Sequence, residues 1–272
     1  MRSAFKKMHG LGNDFVIVDA RVEPVEMSPT RAAALAHRHT GIGCDQLILL
    51  EPSSRADVKM RIFNADGSEV AACGNATRCV AAILGGEGRT NATIETAAGL
   101  LSAEAGDHDA TVDMGKPRFD WEQIPLAYAM DTSAMPASWD GLEHPVAVNV
   151  GNPHVIFFVK DVDAVALQDI GPLIEHDPLF PERVNVNIAE VTGPQSLKLR
   201  VWERGAGLTL ACGTGACATA VAAIKRGRVQ SPVTVSLPGG DLTIAWAPGE
   251  SIRMAGPATL VFEGEIDWAN FP

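Results

Sequence analysis

Residues 203–220 read ERGAGLTLACGTGACATA, and the reading of Cys212 decides the rest. The run LTLAC before it has the apolar, β-branched character of a buried strand end, and ACATAVAAIKRG after it continues as an alanine-rich helix that stops at Gly227. Cys212 then stands at a strand-to-helix turn, where Gly213 and Gly215 let the backbone approach a ligand. A helix N-terminus carries about half a positive charge and free N–H groups, so a thiol there is expected to have a lowered pKa beside an anion cradle. Two plainer readings compete. A lone cysteine is more often packing than chemistry, and Gly213-Thr214-Gly215-Ala216-Cys217-Ala218 fits the G-x-G-x-x-G/A dinucleotide pattern after a strand.

Composition narrows the classes. At 272 residues the chain is long enough for about two domains. Its 22 basic and 33 acidic residues give a net charge of −11, which argues against a nucleic-acid or anionic-membrane partner. A single tyrosine and the lack of a basic run remove a stacking platform for single strands. The N-terminus MRSAFKKMHGLGNDF has no apolar signal region and no stretch is long enough to span a bilayer, so a soluble, cytoplasmic protein is expected. The five cysteines, Cys44, Cys73, Cys79, Cys212 and Cys217, are odd in number and contain no C-x-x-C. Neither a disulfide scaffold nor a structural metal is expected from them.

An internal repeat weighs more than any single motif. RIFNADGSEVAACGN (61–75) lies over RVWERGAGLTLACGT (200–214), pairing Arg61 with Arg200 and Cys73 with Cys212 at an offset of 139. GNDFVI (12–17) lies over GNPHVI (151–156) at the same offset, pairing Asn13 with Asn152, and Gln46 falls on Asn185. AAGLL over PGGDL and MGKP over MAGP follow at 141 and 140. Five windows in one order indicate a tandem duplication. The first copy, Cys73-Gly74-Asn75-Ala76, loses the G-x-G and keeps the Cys-Gly pair, which weakens the dinucleotide reading. Short apolar runs such as FVIVDA, QLILLE and KMRIF surround one central helix per copy, with a further helix near 28–39 capped by Ser28 and a counterpart in VALQDIGPLIEHD. The fold class expected is α+β: two pseudo-symmetric lobes, each a mostly antiparallel or mixed sheet wrapped around a central helix. The lobes run over 1–117 and 118–257, with 258–272 returning to the first.

Two repeat-related thiols suit inversion of a carbon centre. Related by a pseudo-twofold axis, Cys73 and Cys212 would face one small molecule, one as thiolate base and the other as thiol acid, with roles exchanged in reverse. Backbone N–H groups of Gly74, Asn75, Gly213 and Thr214 would cradle a substrate carboxylate and stabilise the charge that develops as the proton leaves. No lysine stands in a setting that suggests pyridoxal phosphate, and the reaction reads as free of cofactor and metal.

The motifs HGLGNDF, GIGCDQ, FNADGSE, CGN-x-x-RC, GNPH, ERVN, ERGAG, ACGTGAC and PGG occur in this order from residue 9 to about 240. In this the chain resembles the diaminopimelate epimerase family. The resemblance implies a two-lobed fold, interconversion of LL- and meso-diaminopimelate in lysine and peptidoglycan precursor synthesis, and a small-molecule substrate as partner. A homodimer is compatible with it. Position by position, Cys73 and Cys212 resemble the two catalytic thiols. Asn13, Gln46, Asn64, Asn152, Asn185 and Arg204 resemble the substrate-holding set. His154 and Glu203 resemble groups that assist proton transfer or orient the reacting amine. A substrate with two carboxylates and two ammonium groups fits many neutral hydrogen-bonding side chains and one arginine fork.

Three positions depart from the family: Leu208 where Glu is frequent, Ala76 where Gly usually follows CGN, and Cys44 where Phe or Ala is common. Leu208 is read as packing or rim variation, Ala76 as tightening the cradle and Cys44 as buried, while Cys79 and Cys217 are expected to pack inside the helices. The nearest rival is a two-cysteine proline or hydroxyproline racemase, which the arginine and the asparagine set disfavour. A thiol-redox or dinucleotide-binding protein, or a non-catalytic amino-acid-binding module, are the rivals of other classes.

Overall fold

Alternating apolar residues build a sheet in each half of the chain, and one alanine-rich helix is buried against each. In a computed structural model that describes residues 2–106 and 109–271, the two units are Met1–Val112 with Gly256–Pro272, and Asp113–Ala255. These boundaries differ by a few residues from the 117 and 257 expected from the repeat. Met114 N–H donates to Ile252 (2.8 Å) and Ile252 N–H to Gly115 (2.9 Å), which ties residues 114 and 115 to the second unit.

The first unit runs β1 (Arg2–Gly10), β2 (Asn13–Asp19), α1 (Pro29–Ala36), β3 (Gln46–Glu51), β4 (Val58–Asn64), β5 (Glu69–Val70), α2 (Gly74–Gly86), β6 (Asn91–Thr96), β7 (Gly99–Ala105) and β8 (Asp109–Asp113). The second holds a short hairpin, β9 (Ser138–Trp139) and β10 (Leu142–Glu143). It continues with β11 (Val146–Asn149), β12 (Pro153–Val159), α3 (Leu167–Glu175), β13 (Asn185–Gly193), β14 (Ser196–Glu203), β15 (Gly207–Leu208), α4 (Gly213–Lys225), β16 (Val233–Leu237), β17 (Gly240–Ala245) and β18 (Arg253–Pro257). The last strand, β19 (Thr259–Asp267), pairs antiparallel with β1.

The duplication is written in the hydrogen-bond register. Parallel β2 and β3 align Phe15 with Gln46, and parallel β12 and β13 align His154 with Asn185. Antiparallel β3 and β4 align Leu47 with Phe63, and β13 and β14 align Val186 with Trp202. Phe63 faces Glu69 on β5 as Trp202 faces Leu208 on β15. Every one of these pairs is displaced by 139 residues. Beyond the central helix, Ile94 with Leu101 becomes Val235 with Leu242, a displacement of 141 that marks two extra residues after α4. The fold is the α+β arrangement expected, with parallel and antiparallel neighbours mixed.

Strand alternation gives each sheet two buried faces. In the first unit Val16, Val18, Leu47 and Leu49 pack with Ala32, Leu35 and Ala36 of α1. In the second, Val155, Phe157, Val186 and Ile188 pack with Ile170 and Ile174 of α3. The opposite face of the second sheet meets α4, whose ten buried residues among thirteen leave it no polar side; a helix apolar all round belongs in a core. Helix α1 begins as expected, with Ser28 accepting from Arg31 N–H and Pro29 in the first turn. Cys79 and Cys217 are fully buried, and burial pushes the Cys79 thiol up to about 12. Cys44 is buried and pushed up to about 11, so these are packing residues. Among the described residues no helix is long and apolar enough to cross a membrane.

The segment LTLAC is not a buried strand end. Only Gly207–Leu208 pairs with β14, and Leu208 and Leu210 are 47% and 60% exposed. β13 takes one edge of β14; on the other, β16 pairs with Ser196–Lys198 and β15 with only Trp202 and Glu203. Leu208 is therefore a rim residue.

Candidate active site

In the first unit the chain places Asn13 at the start of β2, Gln46 at the start of β3, Asn64 at the end of β4 and Cys73 at the N-cap of α2. The register that aligns Gln46 with Asn64 brings these to one end of the sheet. Asn13 Nδ2 donates to the Asp45 carboxylate (3.0 Å). Because a carboxylate only accepts, the Asn13 oxygen is the end that meets Asn75 Nδ2 (3.1 Å) and the Cys73 thiol (3.9 Å). Gln46 Nε2 donates to Asn64 Oδ1 (3.0 Å), Asn64 Nδ2 donates to Ser68 Oγ (3.1 Å), and the buried Gln46 Oε1 has no partner among the described residues.

Behind this row lies a charge network that the sequence reading did not anticipate. Arg38 donates to both oxygens of Asp14 (2.7 and 3.1 Å) and to Asp45 (2.7 Å), and the buried Lys7 donates to Asp14 (2.5 Å) and to the Gly43 carbonyl. Burial alone would raise the Asp14 carboxyl, but Arg38 and Lys7 hold it well below the usual carboxylate range. The signal was present: Asp14 and Asp45 each adjoin an amide of the predicted substrate set, within GNDF and GCDQ.

The second unit gathers Asn152, His154, Asn185, Glu203, Arg204 and Cys212 by the same strand ends. Asn185 Nδ2 donates to the Pro153 carbonyl (2.8 Å), and its oxygen accepts from Arg204 N–H (3.0 Å). Arg204 Nη1 donates to the Glu182 carbonyl (2.9 Å). Gly205, with φ of 77°, turns the chain, and its N–H donates to buried Glu175 (2.9 Å), which also accepts from Trp202 Nε1 (2.7 Å). Glu175 is thus a holder of the Glu203–Arg204 turn that the sequence reading missed.

Cys212 caps α4. Its sulfur accepts from Gly215 N–H (3.3 Å) and lies 3.6 Å from Thr214 Oγ1, within the field of the Glu203 carboxylate. Thr209 Oγ1 donates to Glu203 (2.5 Å). Burial, and then the Glu203 charge, push the Cys212 thiol well above its ordinary value, and burial raises Glu203 as well. This corrects the expectation of a lowered pKa at Cys212. Full burial moves a thiol by up to about 3–5 pKa units, whereas a helix end contributes about 0.3–1 kcal/mol, less than one unit. The G-x-G of this loop keeps its second glycine for a reason other than a dinucleotide. A Cβ on Gly215 would lie 2.8 Å from Asn187 Oδ1 and 3.2 Å from the Cys212 sulfur.

His154 is fully buried, and burial lowers its pKa to about 3, so the ring is neutral. Its Nε2 meets Asn152 Oδ1 (2.9 Å) and its Nδ1 meets Asn187 Nδ2 (3.1 Å). Among the described residues no group of three or more His, Cys, Asp or Glu could hold a metal ion.

The model of the diaminopimelate epimerase family matches residues 5–120 and 146–261. The chain belongs to that family. It is an isomerase family, and the likeness to its members runs the whole length of the chain. A diaminopimelate epimerase of Sphingopyxis alaskensis is 68% identical over 100% of both chains, and one of Rhizorhabdus wittichii is 65% identical over 100% of this chain and 98% of that one. Among solved structures, a phenazine biosynthesis protein of the PhzF family from Bacillus anthracis has a TM-score of 0.71 at 18% identity, covering 98% of this chain and 99% of that one. A hydroxyproline epimerase from Agrobacterium vitis, with bound trans-4-hydroxy-L-proline, has a TM-score of 0.67 at 16% identity over 99% and 94%. At such identities these two share the fold with this member of the diaminopimelate epimerase family.

Proposed function

We propose that the protein interconverts LL- and meso-diaminopimelate by a two-thiol, cofactor-free proton exchange at the α-carbon, supplying lysine and peptidoglycan precursors in the cytoplasm. The observation that carries this reading is that the two helix N-caps related by the repeat are both cysteines, Cys73 and Cys212. One thiolate removes the α-proton and the other thiol returns one to the opposite face; the reverse direction exchanges the roles. Backbone N–H groups of Gly74, Asn75, Gly213 and Thr214 serve the carboxylate on which charge develops. Removing one such donor typically costs about 2.7–4 kcal/mol.

Asn13, Gln46, Asn64, Asn152, Asn185 and Arg204 hold the rest of the substrate. Glu203 keeps the proton on Cys212 while the site is empty. A substrate ammonium group beside Glu203 offsets that charge and lets the thiol ionise when there is a proton to remove. His154, neutral and buried, serves as an orienting group. A homodimer is proposed as the working form.

The test is incubation with LL-diaminopimelate in D2O, followed by NMR of the α-proton, with Cys73→Ala and Cys212→Ala beside the native enzyme. Washout with formation of the meso isomer, slowed roughly 10²–10⁴-fold in each variant, is the expected result. Washout of proline or hydroxyproline instead would reassign the substrate. If no amino acid exchanges, the reading falls.

A further inference from the structure

His154 and Asn187 form a buried pair whose hydrogen bonds can be read without ambiguity. Asn187 Nδ2 lies 3.1 Å from the Val155 carbonyl, 3.3 Å from the Asn185 carbonyl and 3.1 Å from His154 Nδ1. Two of these partners are carbonyls, which only accept, so the amide nitrogen is fixed as the donor. An N–H on His154 Nδ1 would then point at another donor. Nδ1 must carry the lone pair, and in a neutral ring the proton resides on Nε2. That proton meets Asn152 Oδ1 at 2.9 Å. The Asn152 amide is thereby turned with its oxygen inward, and its Nδ2 has no partner among the described residues.

The packing leaves no slack for another arrangement. Asn187 is fully buried. Among the described residues its oxygen has no hydrogen-bond partner, and it stands where a Cβ on Gly215 would clash. The register aligns Asn187 with Ile156, and strand alternation sets Asn187 on the same face of β13 as Asn185, toward α4. At the positions 139 residues earlier the first unit has Phe15, Ile48 and Ala76 in place of His154, Asn187 and Gly215. The polar chain is therefore peculiar to the second unit.

We propose that Asn187 is a positioning residue that holds His154 as its neutral Nε2–H form, and that His154 in turn fixes Asn152 to present an N–H donor to the substrate. The inference rests on the epimerase reading for its substrate. It assigns His154 a permanent hydrogen bond in place of proton transfer. The repeat-related asparagines are anchored by opposite ends: Asn13 by its nitrogen on Asp45, and Asn152 by its oxygen on His154.

The first measurement needs no substrate. Long-range proton–nitrogen NMR of the histidine rings in the native enzyme, with the His154 signal assigned by its loss in His154→Gln, should show unprotonated Nδ1, protonated Nε2 and no titration between about pH 5 and 8. An Nδ1–H form or a titration in that range overturns the proposal. Asn187→Asp supplies an acceptor to Nδ1 and should switch the ring to the Nδ1–H form. It should raise KM for diaminopimelate roughly tenfold to a hundredfold, the size of one hydrogen bond to a charged group. In kinetics, His154→Gln keeps an N–H toward Asn152 but cannot carry a proton. Its kcat/KM should exceed that of His154→Phe at least roughly tenfold. Equal losses in both folded variants would restore a proton-transfer role and sink the inference. A native enzyme inactive on diaminopimelate would remove the epimerase reading, while the ring signal would still decide what His154 donates and accepts.

Discussion

The two units share the hydrogen-bond register of their central strands, yet their thiols live in different surroundings. Cys73 caps α2 with no side-chain cap bond and is partly buried, next to the Asn13 oxygen. Cys212 is 4% exposed and bonded to Gly215 N–H, and a carboxylate faces it. The difference traces to a few positions inside an unchanged frame: Asn64 becomes Glu203, Phe15 becomes His154, Ile48 becomes Asn187 and Ala76 becomes Gly215. Backbone pairing tolerates these exchanges because the strand and helix hydrogen bonds are made by backbone N–H and C=O groups, which every one of these residues supplies. A duplicated fold can thus keep its topology while its two sites diverge in charge and hydrogen bonding.

The sharpest way to break the comparison is to make the second thiol resemble the first. Glu203→Gln removes the charge that holds the Cys212 proton, so the Cys212 pKa should fall. Alkylation by iodoacetamide, followed by mass spectrometry at each cysteine, should shift to lower pH at Cys212 and not at Cys73. Epimerisation should drop roughly 10- to 100-fold with the loss of the Glu203 charge. An unmoved Cys212 profile would show that burial alone sets this thiol.

Exchanging the residue after each Cys-Gly pair by one position asks the next question. Gly215→Ala should cost about 1–3 kcal/mol in urea unfolding, because the added carbon meets Asn187 and the Cys212 sulfur. The reverse change, Ala76→Gly, should cost only about 0.5–1 kcal/mol, the ordinary helix penalty. Equal costs would mean that the first turns of α2 and α4 are packed alike.

The last comparison concerns pH. The folded-state pKa of His154, about 3, lies below the ordinary 6.5. Between those values the unfolded chain binds a proton that the folded one refuses, so stability falls as pH falls through this window. The native enzyme should lose up to about 1.4 kcal/mol per pH unit more than His154→Gln between these limits. Parallel stability curves for the two proteins would place the titration elsewhere.

Most of the frame was readable beforehand because a repeat needs no tertiary information. Cys73 over Cys212 and Asn13 over Asn152 carried the fold class, and HGLGNDF through ACGTGAC carried the family. The Ser28-Pro29 cap and the burial of Cys44, Cys79 and Cys217 followed from local chemistry. The LTLAC segment misled, since an apolar run does not reveal that only Gly207–Leu208 pairs with β14 and that Leu208 and Leu210 stay exposed. Asn187 went unnoticed, although its place two residues after Asn185 sets it on the same strand face.

The order of residues by itself determined the duplication, the strand and helix types, and the two N-capping thiols. These depend on periodicity and spacing along one chain. Only the tertiary structure decided that Cys212 is held as a thiol, that His154 is neutral, and that Asn13 and Asn152 are anchored at opposite ends. Those properties arise from desolvation and from partners distant in sequence, Glu203, Asn187 and Asp45, whose electrostatic effect depends on distance and burial in space.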